Sequence, residues 1–183
     1  TIAVKVNHQV PSSRWYSGSG IGRNVDLVVT DKVSVTRDGV HVSAPQLQSE
    51  NGGNVTTKLS STIVNNGDKD ANVTLVQTIF PKGGKVEQAI GTVTTDAQAV
   101  AAGESKTIES QISAANPSLW STESPNLYTV RTDVKVDDKV VDTYDTVFGY
   151  RWFNYDVTNG FSLNGKNVKL KGVCMHHDQG ALG

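Results

Sequence analysis

Hydrophobic and polar residues alternate along most of this chain, and Gly, Asn, Asp or Pro interrupts the alternation about every ten residues. Strict alternation places successive side chains on opposite faces of a strand, so each run predicts a strand with one buried face. The runs between residues 30 and 149 predict seven to eight antiparallel strands. Short strands in this number are typical of an immunoglobulin-like β-sandwich, so the predicted fold class is all-β.

Four runs carry most of the predicted core, and they are Val55–Val64, Val73–Phe80, Lys106–Ile112 and Val130–Val136. Alternation turns Leu59 and Ile63 inward in the first run. It turns Ile108 and Ile112 inward in the third. These side chains are therefore predicted to meet between two sheets.

Turn residues predict how the strands connect. Asp38-Gly39 separates two alternating runs and predicts a hairpin, because both residue types tolerate positive φ. Asp137-Asp138 predicts a second tight turn. Val86–Thr94 is expected to form a further strand. Ala97–Ala102 has a helix-like composition but is short and ends at Gly103, so we expect a loop or a single turn there.

The two ends of the chain differ from the sandwich pattern. Residues 1–29 contain the runs Ile2–Val6 and Val25–Val29, which predict two strands around an aromatic and Gly-rich loop. Residues 150–183 predict a short hairpin turned by Asn164-Gly165, and then a strand over Lys171–His176. We therefore expect three parts, with residues 30–149 as the complete domain and each end as part of a neighbouring domain.

Composition narrows the fold and the partners. Val, Ile and Thr make up 51 of the 183 residues, which disfavours a helical protein. The net charge is −1 and no basic stripe is present, so nucleic acid is not an expected partner. No apolar run approaches the roughly 18 residues of a membrane span. The single Cys174 cannot form an internal disulfide, which leaves the compartment open between bacterial cytoplasm and cell surface.

The residues themselves offer little catalytic chemistry. His176 and His177 are adjacent on a predicted strand and point to opposite faces, so they cannot both bind one ion, and no metal site is predicted. The Asp and Glu residues are scattered over turns and outer faces, without the converging pair that acid/base catalysis needs. The loop Arg14–Gly20 combines aromatic rings, glycines and an arginine, which suits sugar binding but equally an ordinary contact between domains.

Three segments, in order, resemble the family 2 glycoside hydrolases, and most closely the β-galactosidases among them. Pro11–Val25 is similar to the end of that family's sugar-binding jelly roll. Asn116–Tyr128, with its Asn-Pro-Ser-Leu-Trp-Ser and Pro-Asn-Leu-Tyr, resembles a loop of the family's immunoglobulin-like domain. Phe148–Asp178 is similar to the entry into its catalytic TIM barrel. The resemblance therefore covers nearly the whole chain.

This resemblance implies three domain assignments. Residues 1–29 are the C-terminal end of the sugar-binding jelly roll, and residues 30–149 are the immunoglobulin-like sandwich. Residues 150–183 are the hairpin and first strand of the barrel. In a barrel of this kind the active site lies at the C-terminal ends of the strands.

The resemblance also implies an activity and site residues. The family hydrolyses glycosides with retention, through a glutamate proton donor and a glutamate nucleophile, and its β-galactosidases cleave terminal β-D-galactosyl residues. No Glu of this chain matches either, the last being Glu123, so no catalytic residue is expected here and the chain alone is expected to be inactive. His176 matches the family's sugar-contacting histidine, and Arg14 and Trp15 are further candidates for substrate binding. Where Cys174 and His177 stand the family often has Asn and Glu, so no role is carried over to them.

The implied partners are a galactoside and the rest of the same polypeptide. No cofactor is expected in this chain, and whether the whole enzyme uses Mg²⁺ or Na⁺ stays open. Two other interpretations also stay open. The chain could be an independent carbohydrate-binding or adhesion module, or part of a related β-glucuronidase or β-mannosidase, and the barrel sequence would discriminate between these enzymes.

Overall fold

The computed structural model describes residues 1–7, 20–22 and 24–174. Those residues form eleven strands, one α-helix and one 3₁₀ helix. The helices are α1 (Leu47–Glu50) and the 3₁₀ helix Val86–Gln88. The strands are β1 (Val33–Ser43), β2 (Val55–Asn65), β3 (Ala71–Pro81), β4 (Gly91–Thr94), β5 (Gln98–Val100), β6 (Ser105–Ala114), β7 (Tyr128–Val136), β8 (Lys139–Phe148), β9 (Phe153–Asp156), β10 (Gly160–Leu163) and β11 (Lys166–Asn167).

The strands form three antiparallel sheets. One sheet of the sandwich has the order β1-β2-β6. The other has the order β4-β3-β7-β8, and β5 pairs with β3 beyond the end of β4. A third, smaller sheet has the order β11-β10-β9. The all-β prediction is thus confirmed, and the eight strands β1–β8 agree in number with the seven to eight predicted for this part of the chain.

Two apolar clusters fill the space between the large sheets. The first cluster contains Ile63, Leu75, Ile108 and Val134, and the second contains Leu59, Ile79, Ile112 and Val130. All eight side chains are at most 4% exposed. The inward positions predicted for β2 and β6 are confirmed. Successive side chains of a strand point to opposite faces, so the burial of one face fixes the direction of every side chain.

A buried polar layer lies between the two clusters. Gln77 occupies the inward position between Leu75 and Ile79 and is fully buried. Its amide nitrogen donates to the hydroxyls of Ser61 (3.0 Å) and Thr132 (3.1 Å), and its amide oxygen accepts from Ser110 at 2.5 Å. The layer joins β3 and β7 of one sheet to β2 and β6 of the other. Both polar atoms of the Gln77 side-chain amide form hydrogen bonds within it.

The hairpin predicted at Asp38-Gly39 is wrong. Both flanking runs belong to the single strand β1 and pair with β2, and residues between Val35 and Val40 form an irregularity in the register. Asp38 does adopt positive φ (+53°), as the turn signal required. A Cβ on Gly39 would collide with Thr36, so the glycine permits the tight bulge. Turn chemistry indicated the local bend correctly, but pairing with β2 decided that the chain continues.

Two other expectations in the sandwich need correction. Val86–Thr94 is not one strand, because the 3₁₀ helix Val86–Gln88 precedes the shorter β4. Ala97–Ala102 is not a loop or a turn, because Gln98–Val100 pairs with Ala71–Val73 of β3. A free edge of β3 offers backbone hydrogen bonds, and these override the weak helical preference of a short alanine-rich run.

The chain divides into two compact units, of which one comprises residues 30–170 and the other residues 1–29 and 171–183. In the second unit the described residues form no strand, so strands predicted over Ile2–Val6 and Val25–Val29 are not found. The strand predicted over Lys171–His176 is absent from residues 171–174, and its remainder lies outside the described residues. Alternation alone forms no strand when no neighbouring strand supplies hydrogen bonds. No helix in the described part of the chain is long and apolar enough to cross a membrane.

Candidate functional site

The residues predicted to bind substrate cannot be placed. Arg14, Trp15 and His176 all lie outside the residues that the structure describes. Their roles therefore stay predictions. The structure does describe the second segment of the resemblance and most of the third. These segments, Asn116–Tyr128 and residues 148–170, meet at one end of the sandwich.

The titratable side chains of the described residues are dispersed. They contain no group of three or more His, Cys, Asp and Glu side chains that could hold a metal ion. A hydrogen bond from the Thr122 hydroxyl lowers the pKa of the exposed Glu123 carboxyl, and backbone N–H groups of Asn159 and Thr158 lower the pKa of Asp156. A general acid needs a raised pKa, so both shifts have the wrong direction for a proton donor.

The segment Asn116–Tyr128 is fixed to the strand end at Tyr150. Leu119 forms a parallel bridge with Tyr150, and the Trp120 N–H donates to the Tyr150 carbonyl at 2.8 Å. The Asn126 side chain donates to the Leu119 carbonyl at 2.9 Å. The Tyr128 hydroxyl accepts from the Ser118 N–H at 2.8 Å and so closes the segment on itself. The segment Asn116–Tyr128, which we call the connector, is therefore held in place by hydrogen bonds and is not a free loop.

The connector packs on an aromatic cluster formed by Tyr128, Phe148 and Tyr150. Tyr150 makes edge contacts with Tyr128 (5.3 Å between ring centroids) and Phe148 (4.9 Å). It is 1% exposed, and its hydroxyl lies 2.7 Å from the Thr57 hydroxyl of β2. Burial raises the Tyr150 pKa to about 12, against the lowering effect of the Thr57 hydrogen bond. Tyr150 therefore stays neutral near pH 7 and acts as a packing residue that ties β8 to the opposite sheet.

Asn164 links the small sheet to the connector. Its side-chain nitrogen donates to the Trp120 carbonyl at 2.9 Å, and its side-chain oxygen accepts from the Trp152 N–H at 3.1 Å. Its own N–H donates to the Trp152 carbonyl at 2.9 Å. Asn164 has φ of +50°, which asparagine tolerates better than most residues. The turn residue predicted from Asn164-Gly165 thus also holds the β9–β11 sheet against the end of the sandwich.

Arg151 stacks on Trp120 at the surface of this junction. The guanidinium carbon lies 4.7 Å from the centroid of the indole ring. Gly149 allows the backbone at this position to lie close to the Trp120 side chain, because a Cβ on residue 149 would lie 3.0 Å from the Trp120 Cβ. Both Arg151 and Trp120 line two neighbouring clefts of about 290 and 300 Å³. The junction therefore presents a concave, partly aromatic surface.

One face of the small sheet is aromatic. Tyr155 of β9 is directly opposite Phe161 of β10, with ring centroids 5.2 Å apart, and Phe153 is opposite Leu163. Phe153 and Tyr155 are 60% and 69% exposed. Residues 154 and 156 alternate with them and are polar. The junction and this aromatic face together can pack against apolar surface and fix the angles between elements.

Comparison with known proteins identifies the family. The sequence model of the family described as glycosyl hydrolases family 2 matches residues 38–151. The chain belongs to this family. The matched range begins in β1 and ends at Arg151, so it includes the connector and the Tyr150 cluster.

Relatives of this family 2 chain are much longer proteins. It is 37% identical to the beta-galactosidase BoGH2A of Bacteroides ovatus over 183 residues, which are 100% of this chain and 21% of that protein. It is 34% identical to a putative beta-glucuronidase of Formosa agariphila over 185 residues, covering 100% of this chain and 16% of that protein. A solved family 2 member from Bacteroides cellulosilyticus aligns with a TM-score of 0.70 and 29% identity, covering 84% of this chain and 20% of the other. The chain thus spans about a fifth of their length.

Sequence reasoning missed two features of the family 2 junction. It did not predict β9, although Phe153 and Tyr155 show the alternation of a short strand. It also gave Asn164 only a turn role, because a side-chain bond to the Trp120 carbonyl, 44 residues away, leaves no local signal. The alternation could have revealed the first feature, and only the fold reveals the second.

Proposed function

We propose that this chain is a non-catalytic scaffold portion of a retaining β-galactosidase. The observation that carries the proposal is the 37% identity, over every residue of the chain, with a beta-galactosidase of Bacteroides ovatus. The parent enzyme removes terminal β-D-galactosyl residues through two glutamates that lie outside these 183 residues. In this arrangement residues 30–149 form the immunoglobulin-like domain between the end of a sugar-binding jelly roll (1–29) and the start of a catalytic barrel (150–183).

The structure of residues 30–170 supports a scaffold role. The two sheets are joined through a fully bonded polar layer at Gln77, and the strand end at Tyr150 is tied across the sandwich to Thr57. Such bonds restrict relative motion of the elements. A scaffold needs this property, because active-site groups supplied by different segments must keep a fixed geometry.

The test compares the 183-residue chain with the full-length polypeptide. We expect hydrolysis of a nitrophenyl β-galactoside by the full-length protein, and none above buffer by the 183-residue chain. Turnover by the chain alone that a galactosidase inhibitor abolishes would overturn the assignment as non-catalytic. Failure of the full-length protein to hydrolyse any β-galactoside would overturn the galactosidase assignment.

His176 is proposed to contact the substrate. In the full-length enzyme, His176→Ala should lower kcat/KM about 10- to 100-fold, the effect of losing a hydrogen bond to a substrate hydroxyl. His177→Ala is the matched control, because adjacent side chains on the predicted strand would point to opposite faces. Equal effects of the two substitutions would contradict the assignment. The same design with Trp15→Ala and Arg14→Ala tests the two candidates of the first segment.

A β-glucuronidase is the second candidate. Its support is the 34% identity with a putative beta-glucuronidase of Formosa agariphila, also over the whole chain. Parallel assays with nitrophenyl β-galactoside and β-glucuronide discriminate, and we expect the galactoside to be the better substrate. An independent sugar-binding module would instead show saturable heat with galactose or lactose when the 183-residue chain is titrated, which the scaffold assignment excludes.

A further inference from the structure

Four Asn-Gly pairs occur in the chain, and the fold holds them in different ways. They are Asn51-Gly52, Asn66-Gly67, Asn159-Gly160 and Asn164-Gly165. In such a pair the backbone nitrogen of the glycine can attack the side-chain amide carbon of the asparagine, because glycine has no Cβ to hinder the approach. The attack needs an asparagine side chain that can rotate and a glycine N–H that is not hydrogen-bonded. The reactivity of each pair therefore depends on what holds these two groups.

Two of the pairs have a reacting group in a hydrogen bond. Both polar atoms of the Asn164 side-chain amide are hydrogen-bonded, so this side chain is fixed. The Gly67 N–H donates to the side-chain oxygen of Asn65 at 2.9 Å, so the nitrogen that would attack Asn66 is already engaged. Attack at either pair must first break these bonds.

The pair Asn159-Gly160 is held by the turn between β9 and β10. The backbone N–H of Asn159 donates to the Asp156 carboxylate at 2.7 Å. Gly160 has positive φ (+74°) and is paired with Asp156 in the sheet. Rotation of the backbone at this pair would therefore open the turn.

The pair Asn51-Gly52 has neither restraint. Asn51 directly follows α1 and is exposed, and its side chain forms no hydrogen bond with the described residues. The Gly52 N–H likewise has no partner among them, and a Cβ on Gly52 would find no described atom within 4 Å beyond its chain neighbours. One backbone bond spans the pair, from the Gly53 N–H to the Glu50 carbonyl at 3.1 Å, but it involves neither reacting group.

We propose that Asn51 is a site of spontaneous deamidation in the folded protein, with water as the co-reactant. The Gly52 nitrogen loses its proton to solvent base and bonds to the Asn51 Cγ. The Cγ–Nδ2 bond breaks, and Nδ2 takes up a proton and leaves as ammonia. The product is a five-membered cyclic imide. No oxidation or reduction occurs.

Water then opens the imide at one of its two carbonyl carbons. Addition at Cγ breaks the bond between Cγ and the Gly52 nitrogen, which leaves an aspartate at position 51. Addition at the main-chain carbonyl carbon of residue 51 breaks the bond from that carbon to the Gly52 nitrogen. The main chain then runs through Cγ, and the product is isoaspartate.

Either product acts on the corner between α1 and β2. The Glu50 carboxylate accepts hydrogen bonds from the N–H and the hydroxyl of Thr56, each at 2.8 Å. Leu47 of α1 is 1% exposed and belongs to the second apolar cluster. Aspartate places a second carboxylate beside that of Glu50, which is unfavourable for both charges. Isoaspartate also adds a methylene to the main chain between α1 and β2. Deamidation therefore loosens this corner as the protein ages.

The experiment follows all four pairs in one sample. The 183-residue chain is incubated at mildly alkaline pH in heavy-oxygen water, and deamidated peptides are quantified by mass spectrometry over time. Oxygen taken up from this water marks the imides that opened during the incubation. We expect Asn51 to react at least about tenfold faster than Asn66 and Asn164, because hydrogen bonds must break before those two can react. Asn159 should also react more slowly than Asn51.

The same incubation in denaturant is the control for local sequence. All four pairs should then react at rates within about threefold of one another, because an unfolded chain keeps only fluctuating structure. Reaction of Asn51 in the folded chain at a rate equal to or below those of Asn66 and Asn164 would overturn the proposal. An equally large preference for Asn51 in denaturant would also overturn it, since the sequence and not the fold would then set the rate.

Hydrogen exchange tests the effect on the corner. The wild type and Asn51→Gln are each compared before and after the incubation. Glutamine is one methylene longer and would have to form a six-membered ring, which closes far more slowly. We expect the Thr56 amide to exchange about fivefold faster after incubation of the wild type only, while the amides of β3 are unchanged. The same change in both proteins, or none in either, would contradict the loosening of the corner.

Discussion

The hydroxyl groups of Thr57 and Tyr150 lie 2.7 Å apart, although the two residues are 93 positions apart in the sequence. Thr57 belongs to β2 of the three-stranded sheet, and Tyr150 follows β8 of the other sheet. Both side chains are buried, with exposures of 0% and 1%. The contact therefore joins the two layers of the sandwich immediately before the chain enters the small sheet.

Removing the Tyr150 hydroxyl should destabilise the domain through the group left behind. Tyr150→Phe keeps the ring contacts but leaves the Thr57 hydroxyl buried without this partner, and we expect the free energy of unfolding to fall by about 1–2 kcal/mol. Urea denaturation of the wild type, Thr57→Val, Tyr150→Phe and the double variant measures it. The double variant should lose less than the sum of the single losses. Additive losses would show that the two hydroxyls do not interact.

Tyr150 should also produce a dependence of stability on pH in the alkaline range. Burial raises its pKa in the folded protein from an ordinary value near 10 to about 12. Between these values the unfolded chain has lost the proton and the folded chain keeps it, so stability falls as pH rises from about 10 to about 12. Below pH 10 the contribution is complete. The measurement is the difference in unfolding free energy between wild type and Tyr150→Phe at each pH, which cancels the other titrating groups. A constant difference from pH 8 to pH 12 would contradict the shift.

The buried layer at Gln77 should be costly to interrupt. Gln77→Leu removes the partner of three hydroxyls, those of Ser61, Ser110 and Thr132. We expect a loss of about 2–3 kcal/mol in the free energy of unfolding, because buried hydroxyl groups lose hydrogen bonds that no water replaces. Gln111→Leu makes the same change at an exposed position of β6 and should cost less than about 0.5 kcal/mol. Similar losses from both variants would mean that the layer contributes nothing specific.

The Asn164 bonds should control how firmly the small sheet is held. Asn164→Gly keeps a residue that accepts φ of +50° but removes the bonds to the Trp120 carbonyl and the Trp152 N–H. We expect amide hydrogens of β9 and β10 to exchange about tenfold faster, while those of β2 and β3 are unchanged. Hydrogen exchange followed by mass spectrometry measures both regions in one sample. Asn154→Ala, on the polar side of β9, should leave all exchange rates unaltered. Faster exchange throughout the sandwich would show instead that Asn164 affects global stability.

Much of the sandwich could be predicted from the sequence, because the alternation of apolar and polar residues along a half-buried strand shows which of its faces is buried. Leu59, Ile63, Ile108 and Ile112 were assigned to the core by alternation alone, and each is at most 4% exposed. The tight turn at Asp137-Asp138 was likewise readable, since both residues adopt positive φ. Local rules succeed at these positions because the neighbours that decide the conformation lie within a few residues.

Tertiary structure decided what depends on distant partners. The segment around Asp38-Gly39 carries a hairpin signal. The residues on both sides of it pair with β2, however, so the structure has a bulge within β1 in place of the predicted hairpin. Gln77 has a polar side chain at an inward position, and only hydroxyls from three other strands make that burial tolerable. The sequence by itself determined the all-β class, the inward faces and the family. The pairing of strands, the buried polar layer and the exposed aromatic face were decided in three dimensions, because each depends on which surfaces meet rather than on the order of residues along the chain.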